Sequence, residues 1–161
     1  RCGRTVSPGG RFRVVECAAA LVEQSGFGRY LINAGGDMAM NGLGPDGQPW
    51  RVGVRRAEDA NALALVVQND GTRLGIATSG SYERGAHIRD PRLDQPVTEL
   101  ASTTVVGPSL AEADAFATVL YVMGVEGLGW LAEHHPDYVG CGMTWDRELL
   151  MSPGFHRHLA G

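Results

Sequence analysis

Apolar residues Val14, Val15, Ala18, Leu21 and Val22 recur at helical spacing as far as Gln24, where Gly26 and Gly28 stop the run. This predicts an amphipathic helix. The apolar segment RYLINA, residues 29–34, ends at Gly35 and Gly36 and has the length and composition of a buried strand. Residues 42–49, GLGPDGQP, are dense in turn formers and separate residues 37–41 from 50–56, which predicts a hairpin. A second hairpin is predicted from residues 62–68 and 72–78, joined at Asn69, Asp70 and Gly71, and residues 98–107 read as another strand.

The clearest helix follows Pro108. Ser109, Leu110, Ala111 and Glu112 fit a capping box, and AEADAFATVLYVM is apolar and rich in helix formers up to Gly124. A short helix over residues 127–134 should end before Pro136, with a final strand over residues 138–144. The sum is an α+β fold, a mixed or antiparallel sheet flanked by about three helices, organised as one domain over residues 1–161.

Composition agrees with an ordinary globular chain: 161 residues, 43% hydrophobic and 20% charged. A formal net charge of -4 offers no basic surplus for phosphate backbones or anionic lipid, so nucleic acid is not expected as a partner. Cys2, Cys17 and Cys141 are odd in number and widely spaced, which suggests neither a disulfide framework nor a zinc site. No run is long enough for a membrane span, and the first residues lack the apolar core of a signal peptide. Together these favour a cytoplasmic location, or an extracytoplasmic one if an upstream segment precedes Arg1.

Three groupings could carry chemistry. Asp114 and Thr118 lie one turn apart on one face of the clearest helix, and their oxygens are the hard donors that Mg²⁺ prefers. The plainer reading is that Asp114 favours the helix dipole and Thr118 bonds back to a carbonyl. Residues 33–42, NAGGDMAMNG, place Asn33, Gly35, Gly36 and Asp37 at a strand end, where backbone amides can approach a phosphate, or where the chain simply bends. Residues 78–91, TSGSYERGAHIRDP, gather Tyr82, Glu83, Arg84, His87, Arg89 and Asp90 just after a strand. His87 suits a general base near neutral pH, Asp90 could orient it, and Tyr82 could stack on a planar ring; a solvated loop would have the same composition.

Taken in order, YLINAGGD (residues 30–37), PWRVGV (49–54), ATSGSYERGAHIRDP (77–91) and ADAFATVLYVMG (113–124) resemble the C-terminal half of the ApbE family, the FAD:protein FMN transferases. The resemblance runs from about Gly10 to the end, and the family's N-terminal half has no counterpart in it. It implies a Mg²⁺-dependent reaction in which FAD is bound, its pyrophosphate is cleaved, and FMN is joined to a Thr or Ser hydroxyl of an acceptor protein with release of AMP. Asp114 and Thr118 would be the side-chain metal ligands, and the Gly10 carbonyl the third. His87 would be the catalytic base, with Asp90 beside it. Asn33, Gly35, Gly36, Asp37, Ser79, Gly80, Tyr82, Glu83 and Arg84 would line the flavin site.

The chain departs from the family pattern in two places. The DP-x-T-G continuation is Asp90, Pro91, Arg92, Leu93 and Asp94, and the K-G pair ahead of the first helix is Arg11 and Phe12. Alternative expectations are an FAD-binding module without transfer activity, and a pyrophosphatase giving FMN and AMP. The expected partners are FAD, an acceptor protein, and the family's N-terminal half as a separate segment.

Overall fold

The structure, a computed structural model, describes residues 11–59, 61–80, 88–90 and 95–161. Helix α1 (Arg11–Gln24) leads into strands β1 (Tyr30–Ala34) and β2 (Asp37–Asn41), then β3 (Arg51–Arg55), β4 (Leu63–Gln68) and β5 (Leu74–Gly80). The two-residue strands β6 (Arg89–Asp90) and β7 (Gln95–Pro96) precede β8 (Ser102–Gly107), α2 (Leu110–Met123), α3 (Glu126–His134), β9 (Val139–Met143), β10 (Leu149–Met151) and a 3₁₀ turn, Phe155–His158.

Strand alternation sets the layering. Along β5, Gly75, Ala77 and Ser79 point to one side of the sheet and Leu74, Ile76 and Thr78 to the other. The sheet runs β1-β2-β5-β8-β9-β10, with every neighbouring pair antiparallel. Ala39, Ala77 and Val105 form one core with Val15 and Ala19 of α1, Ala113, Ala117 and Leu120 of α2, and Leu128 and Leu131 of α3. On the other face Met40, Ile76, Val106 and Val139 pack against Val52, Val54 and Val67 of a separate β3-β4 hairpin and against Phe155. The fold is α+β as expected, with helices, sheet and hairpin as successive layers.

Both predicted hairpins are re-paired. β2 bonds to β1 and β5, not to β3, and β4 bonds to β3, not to β5. The turn at Asn69 carries the chain from one layer to the other instead of folding it back. Asn69 is buried, accepts from the Trp50 amide at 2.9 Å, and donates to the carbonyls of Gly42 at 2.8 Å and Thr72 at 3.1 Å. One side chain thus satisfies three loop backbones, which turn propensity alone does not reveal. The strand expected over residues 98–107 begins at Ser102, and β9 is followed by one more edge strand, β10.

The cysteine expectation is corrected as well. Cys17 is disulfide-bonded, while Cys141 is free and buried with its thiol pushed up to about 12 by desolvation. An odd count accommodates one pair and one free thiol, so cysteine number gives no argument for a reducing compartment. Among the described residues no helix is long and apolar enough to cross a membrane.

Gly75 sets how closely α2 approaches the sheet, because a Cβ built there would meet the backbone N and Cα of Leu110 at 2.6 Å. Gly75→Ala should therefore destabilise the fold by about 1–3 kcal/mol in denaturant unfolding. Gly129, in the exposed middle of α3 with open space around it, should gain up to about 1 kcal/mol on change to Ala. Burial, and secondarily the Arg157 charge, hold the His158 imidazole below its ordinary value of 6.5. The unfolded chain then binds that proton at higher pH than the folded one. Stability should fall as pH drops from about 6.5 toward the depressed folded value, where only the unfolded chain takes up the proton, and level off once the folded form is protonated too; His158→Gln should reduce that slope in unfolding midpoints followed from about pH 7 to about pH 5.

Candidate functional site

The ends of three strands meet over the middle of α2. β1 and β2 are joined by Gly35 and Gly36, whose φ values of 65° and 102° give a two-residue turn of the kind that matches sheet twist. The Asn33 Oδ1 accepts from the Gly36 amide at 3.0 Å and closes that turn. Met38 pairs with Ile76, so one and two steps further along the register Asp37 stands beside Ala77 and Gly36 beside Thr78. The Gly-Gly turn therefore lies at the end of the sheet where β5 runs out through Ser79 and Gly80. A Cβ placed on Gly36 would meet nothing within 4 Å, which leaves its backbone open to approach.

Helix α2 lies along β5. Leu110 sits against Gly75 at one end, and at the other Ser79 Oγ and Thr118 Oγ1 share a hydrogen bond at 3.0 Å. Four strand residues span about 13 Å and eight helical residues about 12 Å, so the two contacts are commensurate. Thr103, which pairs with Ser79 across the β5-β8 ladder, is fully buried and donates to the Ala117 carbonyl at 2.7 Å. Two neighbouring strand hydroxyls thus hold the Ala117–Thr118 turn.

Asp114 and Thr118 point from the same side of α2, one turn apart, and the Thr118 hydroxyl also donates to the Asp114 carbonyl at 3.3 Å. Asp37, which lies on the helix-facing side of β2 with Ala39, is buried; neither it nor Asp114 stands without an interacting partner. The structure thus brings together Gly35, Gly36, Asp37, Ser79, Gly80, Asp114 and Thr118. Asn33 belongs to the same turn but alternates to the sheet's other face. Asp90 pairs with Gln95 in the short β6-β7 ribbon. Gly10, Tyr82, Glu83, Arg84 and His87 lie outside the described residues.

The donor set suits a hard divalent cation. A carboxylate, a hydroxyl and an adjacent Ser hydroxyl are oxygen donors, and Mg²⁺ takes few protein ligands and completes its shell with water and phosphate. Among the described residues there is no group of three or more His, Cys, Asp and Glu, as a transition-metal centre would need. Two clefts lined by other residues, one around Trp50 and Arg51 and one around Arg73 and His158, touch none of these positions. Sequence reasoning missed Thr103; the signal was a Thr at a helix-facing position of STTVVG, where alternation calls for an apolar residue.

The ApbE family model matches residues 13–141, and the chain belongs to the ApbE family. It is similar to an FAD:protein FMN transferase of Klebsiella pneumoniae (strain 342), 41% identical over an alignment of 118 residues that covers 67% of this chain and 33% of that protein. An FAD:protein FMN transferase of Rhodobacter capsulatus is 34% identical over an alignment of 154 residues that covers 90% of this chain and 29% of that one. Among solved structures, the flavin transferase ApbE from Vibrio cholerae superposes with a TM-score of 0.74 at 26% identity, covering 92% of this chain and 50% of that one. The Pseudomonas stutzeri flavinyl transferase ApbE, apo form, gives a TM-score of 0.74 at 27% identity over 92% of this chain and 47% of that one. The chain thus spans about a third of the length of the curated relatives it matches and about half of the solved chains.

Thr118 is exposed and its hydroxyl bonds lie at the surface, so its role in stability should be small. Thr118→Val should shift unfolding by less than about 1 kcal/mol. A larger loss would make Thr118 a structural residue first.

Proposed function

We propose that this chain carries the metal and flavin side of a transferase that moves FMN from FAD to a Thr or Ser hydroxyl of an acceptor protein, with AMP as the leaving group. The observation that carries the reading is the convergence of Asp114 and Thr118 with Ser79 beside an open Gly-Gly turn. The names of the relatives support flavin transfer from FAD to protein as the reaction. Asp114, Thr118 and the Gly10 carbonyl would hold Mg²⁺, which when bound offsets negative charge on the pyrophosphate oxygens.

This chain's own groups do the rest. The backbone of Gly35 and Gly36 would let the pyrophosphate come close, with Ser79 and Gly80 at the exit of β5 nearby. His87 takes the proton from the acceptor hydroxyl, whose oxygen then bonds to the FMN phosphorus while the bond to the AMP phosphate breaks. Asp90, three residues on in the sequence, would orient that base; Tyr82 would stack on the flavin, and Glu83 and Arg84 would help to bind it.

The test is a mass spectrum of an acceptor protein after incubation with FAD and Mg²⁺, with AMP followed in parallel. The expected result is an acceptor heavier by the FMN moiety and one AMP per transfer. Asp114→Ala should lower that rate by about 100-fold or more, and His87→Ala should lower it while FAD binding is kept. Free FMN with AMP would mean that water takes the hydroxyl's place and the chain is a pyrophosphatase. FAD bound with no AMP released would leave a binding module.

A further inference from the structure

The first turn of α2 is held from outside the helix. Its N-cap, Ser109, reaches the Glu112 amide only at 3.4 Å, a long bond, and the Glu112 carboxylate accepts from the Tyr138 hydroxyl instead of closing a capping box. The orphan amide of Leu110 is taken by a residue far away in sequence: Glu16 of α1, whose Oε1 accepts from it at 2.8 Å. The other oxygen of Glu16 pairs with Arg73, which also bonds Glu23 of α1 at 3.3 Å. Glu23 in turn accepts from the Tyr30 hydroxyl. One carboxylate therefore ties α1, the entry of β5 and the start of α2 together, at the end of the helix dipole where negative charge is favourable.

Leu110, Asp114 and Thr118 follow one another at intervals of four residues along the same side of α2. A helix is stiff along its axis, so a constraint on Leu110 is also a constraint on the height of Asp114 and Thr118 above β5. Gly75 and Ala77 limit how near the helix comes, and directional bonds act at two points along it: Ser79 and Thr103 at the Ala117–Thr118 turn, and Glu16 at the N-terminus. The Glu16 bond is the one of these that comes from α1 rather than from the sheet.

We infer that Glu16, held in place by Arg73, is a positioning residue that, together with the Ser79 and Thr103 bonds further along, fixes the axial register of α2 on β5 and thereby where Asp114 and Thr118 stand for a divalent cation. The inference rests on the metal reading proposed above and adds a residue that touches neither metal nor flavin. A glutamine keeps one acceptor oxygen for Leu110 while giving up the ion pair with Arg73, and an alanine removes both contacts.

The experiment is calorimetric titration of the intact protein with Mn²⁺ in the presence of FAD, for the unaltered protein and for Glu16→Ala, Glu16→Gln and Val22→Ala. Val22 is on α1 and packs, partly buried, against the helical core without taking part in the Glu16 and Arg73 bonds, so Val22→Ala controls for lost stability. The expected result is Mn²⁺ binding about fivefold to thirtyfold weaker in Glu16→Ala, within about threefold of normal in Glu16→Gln, and unchanged in Val22→Ala. Equal affinity in Glu16→Ala and the unaltered protein overturns the positioning role and leaves the metal site standing. An equal loss in Val22→Ala, matched by thermal midpoints, also overturns it and makes the effect one of stability. No Mn²⁺ binding by the unaltered protein removes the metal reading itself and this inference with it.

Discussion

The contact of Leu110 with Gly75 is the constraint on which the arrangement depends. With no side chain on that strand position, the backbone of α2 lies against β5 at a separation that a Cβ would forbid. Once the helix is seated there, Ala113, Ala117 and Leu120 are carried into the core with no exposed surface. Burial of a side chain such as Leu120 contributes about 1.5–3 kcal/mol, more than any polar contact along the helix is expected to give. Hydrophobic packing holds α2 down, and the polar contacts decide where along β5 it stops.

That division separates the anchoring network from the candidate site in space. The entry of β5 and the start of α2 carry Glu16, Arg73, Glu112 and Tyr138, a network of carboxylates, guanidinium and phenol. Burial and the neighbouring glutamates push the Tyr30 and Tyr138 hydroxyls above the ordinary tyrosine value, so both remain donors across the range in which proteins are stable. The exit of β5 carries Ser79, Gly80 and the Gly-Gly turn, and these are exposed or half-exposed. Their polar atoms can exchange a protein partner for a ligand without leaving a buried group unsatisfied.

Local elements were legible in the sequence because they follow local rules. The periodicity of α1, the punctuation of α2 by Ser109 and Gly124, and the glycines after β1 each rest on residues within one or two turns. Strand pairing was not legible, since it depends on which layer each strand joins. Residues 69–71 look like a hairpin turn, yet the side chain of Asn69 bonds loops 27 residues apart. The same limit applies to the site. Asp114 and Thr118 could be paired from helical spacing alone, but Ser79 reached Thr118, and Thr103 reached Ala117, only through the sheet register.

The register explains why a glycine pair and a helical carboxylate could serve one ligand although about eighty residues separate them. β2 and β8 flank β5, so the start of each antiparallel neighbour falls beside the end of the central strand. The turn that begins β2 and the hydroxyls that begin β8 are brought to the point where β5 leaves the sheet. A helix parallel to β5 then presents its middle, not its terminus, at that point. The open backbone of the turn and the side-chain oxygens of the helix consequently lie toward one end of the sheet. A pyrophosphate bridged to a cation would call for both, close backbone on one side and anionic oxygens on the other. Neither the sheet end nor the helix could supply both.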